Sequence, residues 1–524
     1  MRDRPQSALP AAGLTVQIRQ WAGTERPALI MHPSGDRITF GELESRANRI
    51  AHHFRAAGLC EGDVVAVLME NNEHLLAILW GARRAGLYYA TINTHVTPEE
   101  AAYIVDDCGA KAVVGSAVLQ GLCAALGSHL PGGLPRLRLI ADADLDGWAR
   151  YPECVAGCPD TPLPDEQEGD LLQYSSGTTG KPKGIRRPLP HCSPSEAKVM
   201  LAPLLGAIGL DEQSVYLTPA PLYHTAPSFW SMSAQALGAT VVLMDRFTPE
   251  GALAAIQTHG VTHGQFVPTM FVRMLKLPNA SRAGYDVSTL RRVVHAAAPC
   301  PREIKRQMIQ WWGPIVDEFY GSSEGVGVSF IRAEEWLTHP GSVGRPLVGV
   351  AHIVGDDGRE QPPGIPGDVY FEGAGTFSYL NDEAKTAAAH NDRGWVSVGD
   401  IGYLDDDGYL YLTDRRHHMI ISGGVNIYPQ EAEDLLISHP RVLDAAVFGI
   451  PDDAMGQSVT AVVQTVDPAD ATDAVAAELI DWLRARLAHY KCPRSLSFTA
   501  ELPRTAVGKL DKRDLVRRHT AGRH

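Results

Sequence analysis

Short runs of consecutive apolar residues alternate with stretches of helical periodicity through the first four hundred residues. VVAVLME (64–70) precedes the helical HLLAILWGARRAG, and KAVVGS (111–116) follows the helical PEEAAYIVDDCG. ATVVLMD (239–245) precedes TPEGALAAIQTHG, in which Pro249 suits a first helical turn, and RRVVHAAA (291–298) precedes PREIKRQMIQWW. Such repeated alternation of buried strand and helix predicts a mainly parallel α/β sheet.

The pattern changes after about residue 365, where β-rich segments are joined by Gly and Asp turns. PQEAEDLLISHP reads as a helix, AAVFGIP and SVTAVVQTV read as strands, and DAVAAELIDWLRARLAHY reads as the last long helix. We therefore predict a boundary near Asp414, with one domain over residues 1–413 and a small α+β domain over 414–524.

Length and composition restrict the class of protein. A chain of 524 residues with 44% hydrophobic and 21% charged residues is globular and long enough for two or more domains. Its net charge of −14 predicts no binding to nucleic acid. We expect no transmembrane segment, because no apolar run approaches about 18 residues, and the first residues lack the apolar core of a signal peptide. The eight scattered cysteines favour ordinary thiols and a cytoplasmic location.

One strip, YSSGTTGKPKG (174–184), has no apolar side chain after Tyr174. Glycine backbone N–H groups, hydroxyls and two lysines together favour an anion-binding loop, although such strips also serve as linkers. The Walker A pattern requires Gly and Ser or Thr where this chain has Ser175 and Pro182, so the strip does not predict a P-loop NTPase.

Further candidate segments follow along the chain. PLYHTAP contains His224, and a lone histidine is often structural. EFYGSSEG (318–325) could stack a base beside an acidic metal ligand, or form a simple turn. VSVGD ends at Asp400, and PRTAVGKLDKRDL (503–515) carries Lys509 on a loop, where a lysine is usually a solvated surface charge.

Taken in order, these segments resemble the adenylate-forming enzymes, which include acyl- and aryl-CoA synthetases, peptide-synthetase adenylation domains and beetle luciferase. The resemblance runs from ITFGELESRANRIAHHFRAAGL (38–59) to PRTAVGKLDKRDL. It implies an α/β fold: a large N-terminal domain of mainly parallel sheets with flanking helices and a β-rich subdomain, and a small mobile α+β C-terminal domain carrying the catalytic lysine. The implied activity is acyl-CoA synthesis with Mg²⁺, ATP and CoA. ATP and a carboxylic acid form an acyl-adenylate and pyrophosphate, and a thiol then displaces AMP.

The resemblance also assigns nucleotide-site residues. Lys509, Glu324 and His224 would be catalytic, and Glu324 would bind Mg²⁺ together with Thr178. Tyr320 would pack on adenine, Ser322 and Ser323 would lie near the α-phosphate, and Asp400 would bind the ribose with help from Arg415. The complete set implied to bind ATP is Ser175, Ser176, Gly177, Thr178, Thr179, Gly180, Lys181, Lys183, Tyr320, Gly321, Ser322, Ser323, Asp400 and Arg415.

For the second step, the resemblance places Gly423 and Gly424 at the CoA channel and His224 as a gate beside the acyl pocket. His417 would be the hinge about which the small domain turns, removing Lys509 from the site. The chain departs from the family at His417, where Lys or Asp is usual, and at Val398, where Thr is usual. A histidine hinge could make the movement sensitive to pH, and Val398 could modestly alter ATP affinity.

The acid itself is only coarsely predicted. HTAPSFWSMSAQ (224–235) contains no acidic residue to pair with a substrate ammonium, so an apolar fatty, aryl or alicyclic acid is favoured. The residues expected at the acyl pocket are Phe229, Trp230, Val267, Ala297 and Ala298. A role in fatty acid or lipid metabolism is expected. Transfer to a carrier protein and a nucleotide-binding scaffold remain alternatives, luciferase-type oxidation is a remote one, and the formation of a homo-oligomer is left open.

Overall fold

The computed structural model describes residues 17–175, 182–197, 199, 202–373, 375–423, 425–452, 455–505 and 510–521. The chain divides into two compact units. The first contains the described residues up to Phe266 together with Gly284–Val293 and Thr376–Ala388. The second contains Val267–Ala283, Val294–Gly375 and the described residues from Ala389 onward.

The predicted buried strands are present in the first unit, at 64–68, 112–116 and 240–244. The strands up to residue 266 are β1 Pro27–His32, β2 Arg37–Thr39, β3 Val64–Leu68, β4 Tyr88–Thr91, β5 Ala112–Ser116, β6 Leu137–Ala141, β7 Ala149–Tyr151, β8 Asp170–Leu171, β9 Gln173–Ser175, β10 Lys183–Arg186, β11 Val215–Thr218, β12 Thr240–Met244 and β13 His263–Phe266. Every residue of β3, β4, β5 and β12 is buried, as expected for strands covered on both faces of a parallel sheet.

These strands form two largely parallel arrays. One sheet has the order β7-β6-β5-β3-β4-β8 and all its pairs are parallel. In the other, β13, β11, β12 and β1 are parallel neighbours, and β2 closes the edge antiparallel to β1. The predicted parallel α/β architecture is confirmed.

Three of the seven helices described in this region, the first, third and seventh, begin at a threonine whose side chain caps the helix. The seven helices are α1 Phe40–Ala56, α2 Leu75–Arg84, α3 Pro98–Asp107, α4 Gln120–His129, α5 Ala202–Ile208, α6 Thr225–Ala236 and α7 Pro249–His259. Thr97 and Glu100 form a capping box at the start of α3. Pro249 occupies the first turn of α7, as predicted, and Gly260 ends that helix with a φ of 62°.

The remaining elements run from residue 268 to residue 521. The helices are α8 Pro268–Leu275, α9 Asn279–Ala283, α10 Arg302–Trp312, α11 Ala333–Trp336, α12 Glu383–Ala388, α13 Gln430–Ser438, α14 Asp473–Arg484 and α15 Lys512–Ala521. The strands are β14 Arg292–His295, β15 Val316–Gly321, β16 Val328–Ile331, β17 Arg345–Val348, β18 Val350–Val354, β19 Gly367–Glu372, β20 Ser378–Tyr379, β21 Asp400–Leu404, β22 Leu410–Arg415, β23 Ile420–Ser422, β24 Val425–Ile427, β25 Val442–Asp452, β26 Gly456–Thr465 and β27 Ser495–Phe498.

Antiparallel pairing dominates the second unit, as the Gly- and Asp-rich turns predict. Strands β15, β16 and β17 are antiparallel neighbours, and β18-β19-β21-β22 form a separate antiparallel sheet. In the first unit, β20, β10 and β9 form a small antiparallel sheet.

The C-terminal residues form a small α+β region with its own core. Its sheet has the order β24-β23-β26-β25, and β27 adds parallel to β26. The core contains Leu436 of α13 and Leu479 and Leu483 of α14. The fold therefore has a large N-terminal portion rich in parallel strands and a small C-terminal α+β portion, as predicted. The boundary at residues 413 and 414 stays a prediction.

The last long helix is shorter than its sequence suggests. We predicted helix through Tyr490, but α14 ends at Arg484, and His489–Lys491 form a separate 3₁₀ turn. The chain turns away because Leu487 and Cys492 pack into the C-terminal core and Lys491 pairs with Glu431. Tertiary contacts thus override the helical pattern.

Candidate functional site

The predicted phosphate loop is joined to two antiparallel strands. In the register of β9 and β10, Ser175 pairs with Lys183 and Tyr174 pairs with Gly184. The two ends of the loop are therefore held side by side by backbone pairing. The candidate residues Ser176, Gly177, Thr178, Thr179, Gly180 and Lys181 lie outside the described residues.

Lys183 has a carboxylate partner that sequence analysis did not identify. Its Nζ lies 2.7 Å from Oδ2 of Asp382, and both side chains are half-buried. This hydrogen bond is the main reason that the pKa of Lys183 is raised and the pKa of Asp382 is lowered. Asp382 also accepts a hydrogen bond from the backbone N–H of Lys385 and so caps α12. An aspartate at the start of a helix could have predicted that Asp382 caps α12, but nothing in the sequence indicates that it pairs with Lys183.

Tyr320, Asp400 and Arg415 are brought together in the second unit. The Tyr320 hydroxyl donates a hydrogen bond to Asp400 Oδ2 at 2.6 Å, and Arg415 Nε lies 3.2 Å from Asp400 Oδ1. Asp400 begins β21 and stands opposite Arg415 in the antiparallel pairing with β22. Burial, followed by the nearby Asp400 charge, raises the pKa of Tyr320 well above its ordinary value, so its hydroxyl stays protonated.

The Tyr320 ring also has an aromatic neighbour. It lies 6.3 Å from the ring of Phe371 on β19, at an interplanar angle of 33°. Gly327 must lack a side chain here, because a Cβ would lie 2.2 Å from the Phe371 ring. Phe371 was not among the predicted site residues, because nothing in the β-rich run GDVYFEG distinguishes it from a core position.

The end of β15 and the turn after it carry four candidate residues. Gly321 is exposed, and Ser322, Ser323 and Glu324 are half-buried. The Oγ of Ser322 is buried and has no hydrogen-bond partner in the described part of the chain. A buried hydroxyl of this kind is unfavourable unless another group pairs with it, so it marks a place where a ligand could bind.

The metal prediction can be tested only on Glu324, because Thr178 lies outside the described residues. Within the described ranges, no group of three or more His, Cys, Asp or Glu residues forms a preassembled metal centre. One carboxylate oxygen nevertheless suits Mg²⁺, which commonly binds one or two carboxylates and takes its other ligands from water and substrate phosphates. Glu324 therefore fits such an ion without a dedicated cage.

The predicted gate and two of the acyl-pocket residues surround the start of α6. His224 is the residue before the helix, and its ring lies 4.6 Å from that of Tyr223. Phe229 is half-buried. Trp230 is fully buried and stacks on Tyr216 at 6.2 Å, which is the position of a core residue.

The other three acyl-pocket candidates belong to the second unit. Val267 is half-buried immediately before α8, while Ala297 and Ala298 are exposed. Ala297 adopts a φ of 73°, in the left-handed region that disfavours residues other than glycine. Strain of this kind often accompanies functional backbone.

Of the C-terminal candidates for CoA binding and the hinge, Gly423 and the backbone of His417 are described. Gly423 has a φ of 58° after β23, and its N–H donates to the Met455 carbonyl at 2.8 Å. Gly424 lies outside the described residues. The backbone of His417 belongs to a 3₁₀ turn after β22, and its side chain is outside the description.

Lys509 also lies outside the described residues, but Arg504 and Leu510, on either side of its loop, contact one another. Arg504 and Leu510 form an antiparallel bridge that closes the base of the loop. Two residues beyond Leu510, the buried Lys512 places its Nζ 2.7 Å from Oε1 of Glu433. The loop therefore begins and ends at fixed points.

Comparison with known proteins identifies the family. A family model described as AMP-binding enzyme matches residues 16–379, and one described as AMP-binding enzyme C-terminal domain matches residues 431–509. The chain belongs to the AMP-binding enzyme family. The predictions of an adenylate-forming fold, an acid–thiol ligase class of enzyme, and ATP and CoA as co-substrates are confirmed at the level of the family.

Several relatives are similar over nearly their full lengths. An indoleacetate–CoA ligase from Aromatoleum aromaticum is 31% identical over 506 residues, covering 94% of this chain and 95% of that protein. A sulfoacetate–CoA ligase from Cupriavidus necator is 31% identical over 529 residues, covering 97% of each. Among solved structures, an anthranilate CoA ligase in complex with anthranoyl-AMP matches with a TM-score of 0.83 and 25% identity, covering 99% of each chain.

The structure also bears on the membrane prediction. Among the described residues, no helix combines the length and the apolar character that a membrane-spanning segment needs.

Proposed function

We propose that this protein joins a carboxylic acid to CoA in two steps at one site. In the first step a carboxylate oxygen bonds to the α-phosphorus of ATP, the bond to the bridging oxygen breaks, and pyrophosphate leaves. In the second step the CoA sulfur bonds to the acyl carbon and AMP leaves. The relatives named as CoA ligases support this proposal, and the observation that carries it is the contact of Asp400 with both Tyr320 and Arg415.

That contact suits a nucleoside. Asp400 is buried, and an ionised carboxylate is a strong acceptor for the two ribose hydroxyls. Tyr320 and Arg415 fix its two oxygens, so its orientation is set before the nucleotide binds. The Tyr320 ring would pack on adenine. The Ser322 hydroxyl, which has no partner among the described residues, would donate with that of Ser323 to the α-phosphate.

The charge of the triphosphate must then be neutralised so that an anionic acid can approach. In our proposal Lys183 and the loop residues before it hold the β- and γ-phosphates, and Lys509 bridges the α-phosphate and the substrate carboxylate. Mg²⁺, held by Glu324 and Thr178, would neutralise phosphate charge when bound. Removing one well-placed donor from such a site typically lowers the rate about a hundred- to a thousandfold.

For thioester formation we propose that residues 414–524 turn about His417. The turn would withdraw Lys509 and bring Gly423 and Gly424 to the CoA channel, beside the gate residue His224. The bridge between Arg504 and Leu510 and the ion pair between Lys512 and Glu433 support such a movement, because they keep the lysine loop attached to this region as it turns.

The substrate that we propose is an apolar acid with an aryl, alicyclic or fatty side chain. Helix α6 has no acidic residue, and the candidate pocket residues Ala297 and Ala298 are small and exposed. Indoleacetate and anthranilate, named for two relatives, carry aromatic rings, whereas sulfoacetate is small and charged. Overall similarity therefore does not select the acid. A cytoplasmic setting is part of the same proposal, and fatty acid metabolism is one of the roles that it allows.

The test is product analysis with the purified protein, MgATP and a panel of aryl, alicyclic, fatty and sulfonated acids, with and without CoA. We expect acid-dependent AMP and pyrophosphate, and an acyl-CoA thioester only when CoA is present. Lys509→Ala should lose most of the first step, while Arg513→Ala, which removes a nearby exposed charge, should not. Adenylate that ignores CoA would favour loading of a carrier protein, and nucleotide binding without turnover would favour the scaffold.

A further inference from the structure

Helix α3 contacts the strands on both sides of the predicted phosphate loop. Near the end of the helix, Asp107 Oδ2 accepts a 2.7 Å hydrogen bond from the hydroxyl of Tyr174, which lies on β9 just before the loop. One helical turn earlier, the hydroxyl of Tyr103 donates to the backbone oxygen of Pro182, just after the loop, at 3.3 Å. Residues four apart share one face of a helix, so a single face of α3 contacts both ends.

Asp107 has a second partner, in the turn between β20 and α12. The Nδ2 of Asn381 donates to Asp107 Oδ1 at 3.2 Å and to the Asp107 backbone oxygen at 3.1 Å. Asn381 has a φ of 55°, a left-handed conformation that asparagine tolerates better than most residues. The same turn contacts β10, because Leu380 N–H donates to the Gly184 carbonyl at 2.8 Å and Asp382 pairs with Lys183.

These segments are tightly packed. Tyr174 is 2% exposed, and a Cβ on Gly184 would lie 3.2 Å from the Tyr174 hydroxyl and 3.1 Å from Leu380 Cβ. Burial, followed by neighbouring charges that include Asp107, raises the pKa of Tyr174, so its hydroxyl remains a donor. Rotation of Tyr174 would break the bond to Asp107 and press on Gly184, so the end of β9 has little freedom.

We propose that Asp107 is a positioning residue for ATP, which it does not touch: it holds Tyr174 and Asn381 and thereby fixes the two strands that present the phosphate loop. This inference rests on the proposed function, because it gives the loop its phosphate role. Tyr103 supports the opposite end through Pro182. Both carboxylate oxygens of Asp107 accept hydrogen bonds, one from Tyr174 and one from Asn381, so the carboxylate orients both partners.

The test separates positioning from general stability by measuring the KM for ATP and the KM for the acid independently, by acid-dependent ATP–pyrophosphate exchange. Asp107→Ala and Tyr174→Phe should each raise the KM for ATP about tenfold, because a displaced loop forms poorer hydrogen bonds to the charged phosphates. The KM for the acid should stay within about twofold. Asp106→Ala is the matched control, since its exposed side chain is on the same helix.

Asp107→Asn provides a graded result. Its amide retains an oxygen for one of the two donors and presents an N–H to the other, so the KM for ATP should lie between those of the native protein and Asp107→Ala. Should Asp107→Ala fail to fold, Tyr174→Phe still removes one hydroxyl and keeps the ring in place. A lower Tm with an unchanged KM for ATP in both Asp107→Asn and Tyr174→Phe would overturn the proposal and leave a merely structural contact.

Failure of the proposed ligase function can be distinguished from failure of the positioning role of Asp107. If the native protein activates no acid in the panel, the proposed ligase function is wrong. The positioning role of Asp107 is then tested by the rise in Tm that ATP produces. That rise should be smaller in Tyr174→Phe than in the native protein or Asp106→Ala. An equal rise in all three, or none in the native protein, would overturn the positioning proposal as well.

Discussion

The hydroxyl of Tyr320 donates a 2.6 Å hydrogen bond to Asp400, eighty residues further along the chain. The other oxygen of this carboxylate lies 3.2 Å from Arg415 Nε, so both oxygens have a partner. The residue proposed to stack on adenine and the residue proposed to bind ribose are thus one hydrogen-bonded pair. A change at Tyr320 should affect the ribose contact as well as the base contact.

Tyr320→Phe isolates the hydroxyl, because the ring that packs near Phe371 is retained. A hydrogen bond to a charged group contributes about 1.5–3 kcal/mol, and this one orients the carboxylate that is proposed to bind the ribose. We therefore expect the affinity for ATP to fall by a factor of about ten or more. Calorimetric titration with a non-hydrolysable ATP analogue measures this loss. Tyr403→Phe, on the same strand as Asp400, is the control and should bind normally. Equal affinity in both variants would mean that the hydroxyl does not serve the nucleotide.

The ion pair between Lys183 and Asp382 predicts competition for the lysine. Nucleotide phosphates must share or replace this carboxylate, and a solvent-screened ion pair of this kind is weak enough to be replaced. Asp382→Asn keeps a capping group for α12 and removes only the charge, so we expect the KM for ATP to fall about two- to fivefold.

A double-mutant cycle tests whether Lys183 transmits this effect. Lys183→Ala should raise the KM for ATP, and adding Asp382→Asn to it should change nothing further. Glu383→Gln removes an exposed charge next to Asp382 and serves as the control. A KM that falls as much in Glu383→Gln as in Asp382→Asn would point to general electrostatics instead of the pair.

Local patterns were sufficient to predict the parallel strands, because a strand covered on both faces is a continuous apolar run. That is why β3, β5 and β12 were placed within two residues at either end. The contacts of Asp400 and Lys183 could not be predicted this way, since Tyr320 and Asp382 are 80 and 199 residues distant in sequence. The motifs supplied the candidate residues, but no local pattern supplies their partners.

The sequence also does not distinguish residues that line a pocket from residues that are buried in the core. Phe229 and Trp230 were grouped as pocket residues because both are apolar and follow the gate residue, yet Trp230 is fully buried against Tyr216 while Phe229 is only half-buried. Periodicity cannot separate a pocket wall from a core, because both need apolar side chains. Periodicity also failed to give the end of α14. The helical pattern of the sequence continues beyond Arg484, but Leu487 packs into the core outside the helix.

The buried ion pair between Lys512 and Glu433 predicts a large loss of stability on removal of one partner. Both side chains are less than a tenth exposed, and Glu433 also accepts a hydrogen bond from the Val447 N–H at 2.6 Å. Lys512→Met leaves the carboxylate buried without its cation, which typically costs about 3–5 kcal/mol. Chemical denaturation measures the change in the free energy of unfolding.

A pair on the same helix whose cation is exposed provides the control. Arg517 lies 2.5 Å from Asp514, but the arginine side chain is 80% exposed. Arg517→Ala should therefore lower the free energy of unfolding by no more than about 1 kcal/mol. Similar losses for Lys512→Met and Arg517→Ala would show that burial of the first pair does not strengthen it.

Asp434 on α13 predicts a dependence of stability on pH. Burial raises its pKa to about 7, with a further contribution from the neighbouring Glu433 and Asp414 charges, while a hydrogen bond from Gln430 and the charge of Arg302 act in the opposite direction. The folded protein thus holds this proton more tightly than the unfolded chain, in which an aspartate titrates near 4. Between pH ~4 and pH ~7 the unfolded state binds fewer protons, so this group makes the fold less stable as the pH rises.

Asp434→Asn removes the titration and keeps an acceptor for the Gln430 amide. We expect the Tm of the variant to exceed that of the native protein by a margin that grows from pH 4 to pH 7 and then levels off, because both states of the native protein are ionised above the folded pKa. Thermal unfolding at unit pH intervals measures the margin. Asp481→Asn, an exposed position on α14, should run parallel to the native protein. A margin that is constant with pH would mean that Asp434 keeps an ordinary pKa and that its charge is accommodated by Arg302.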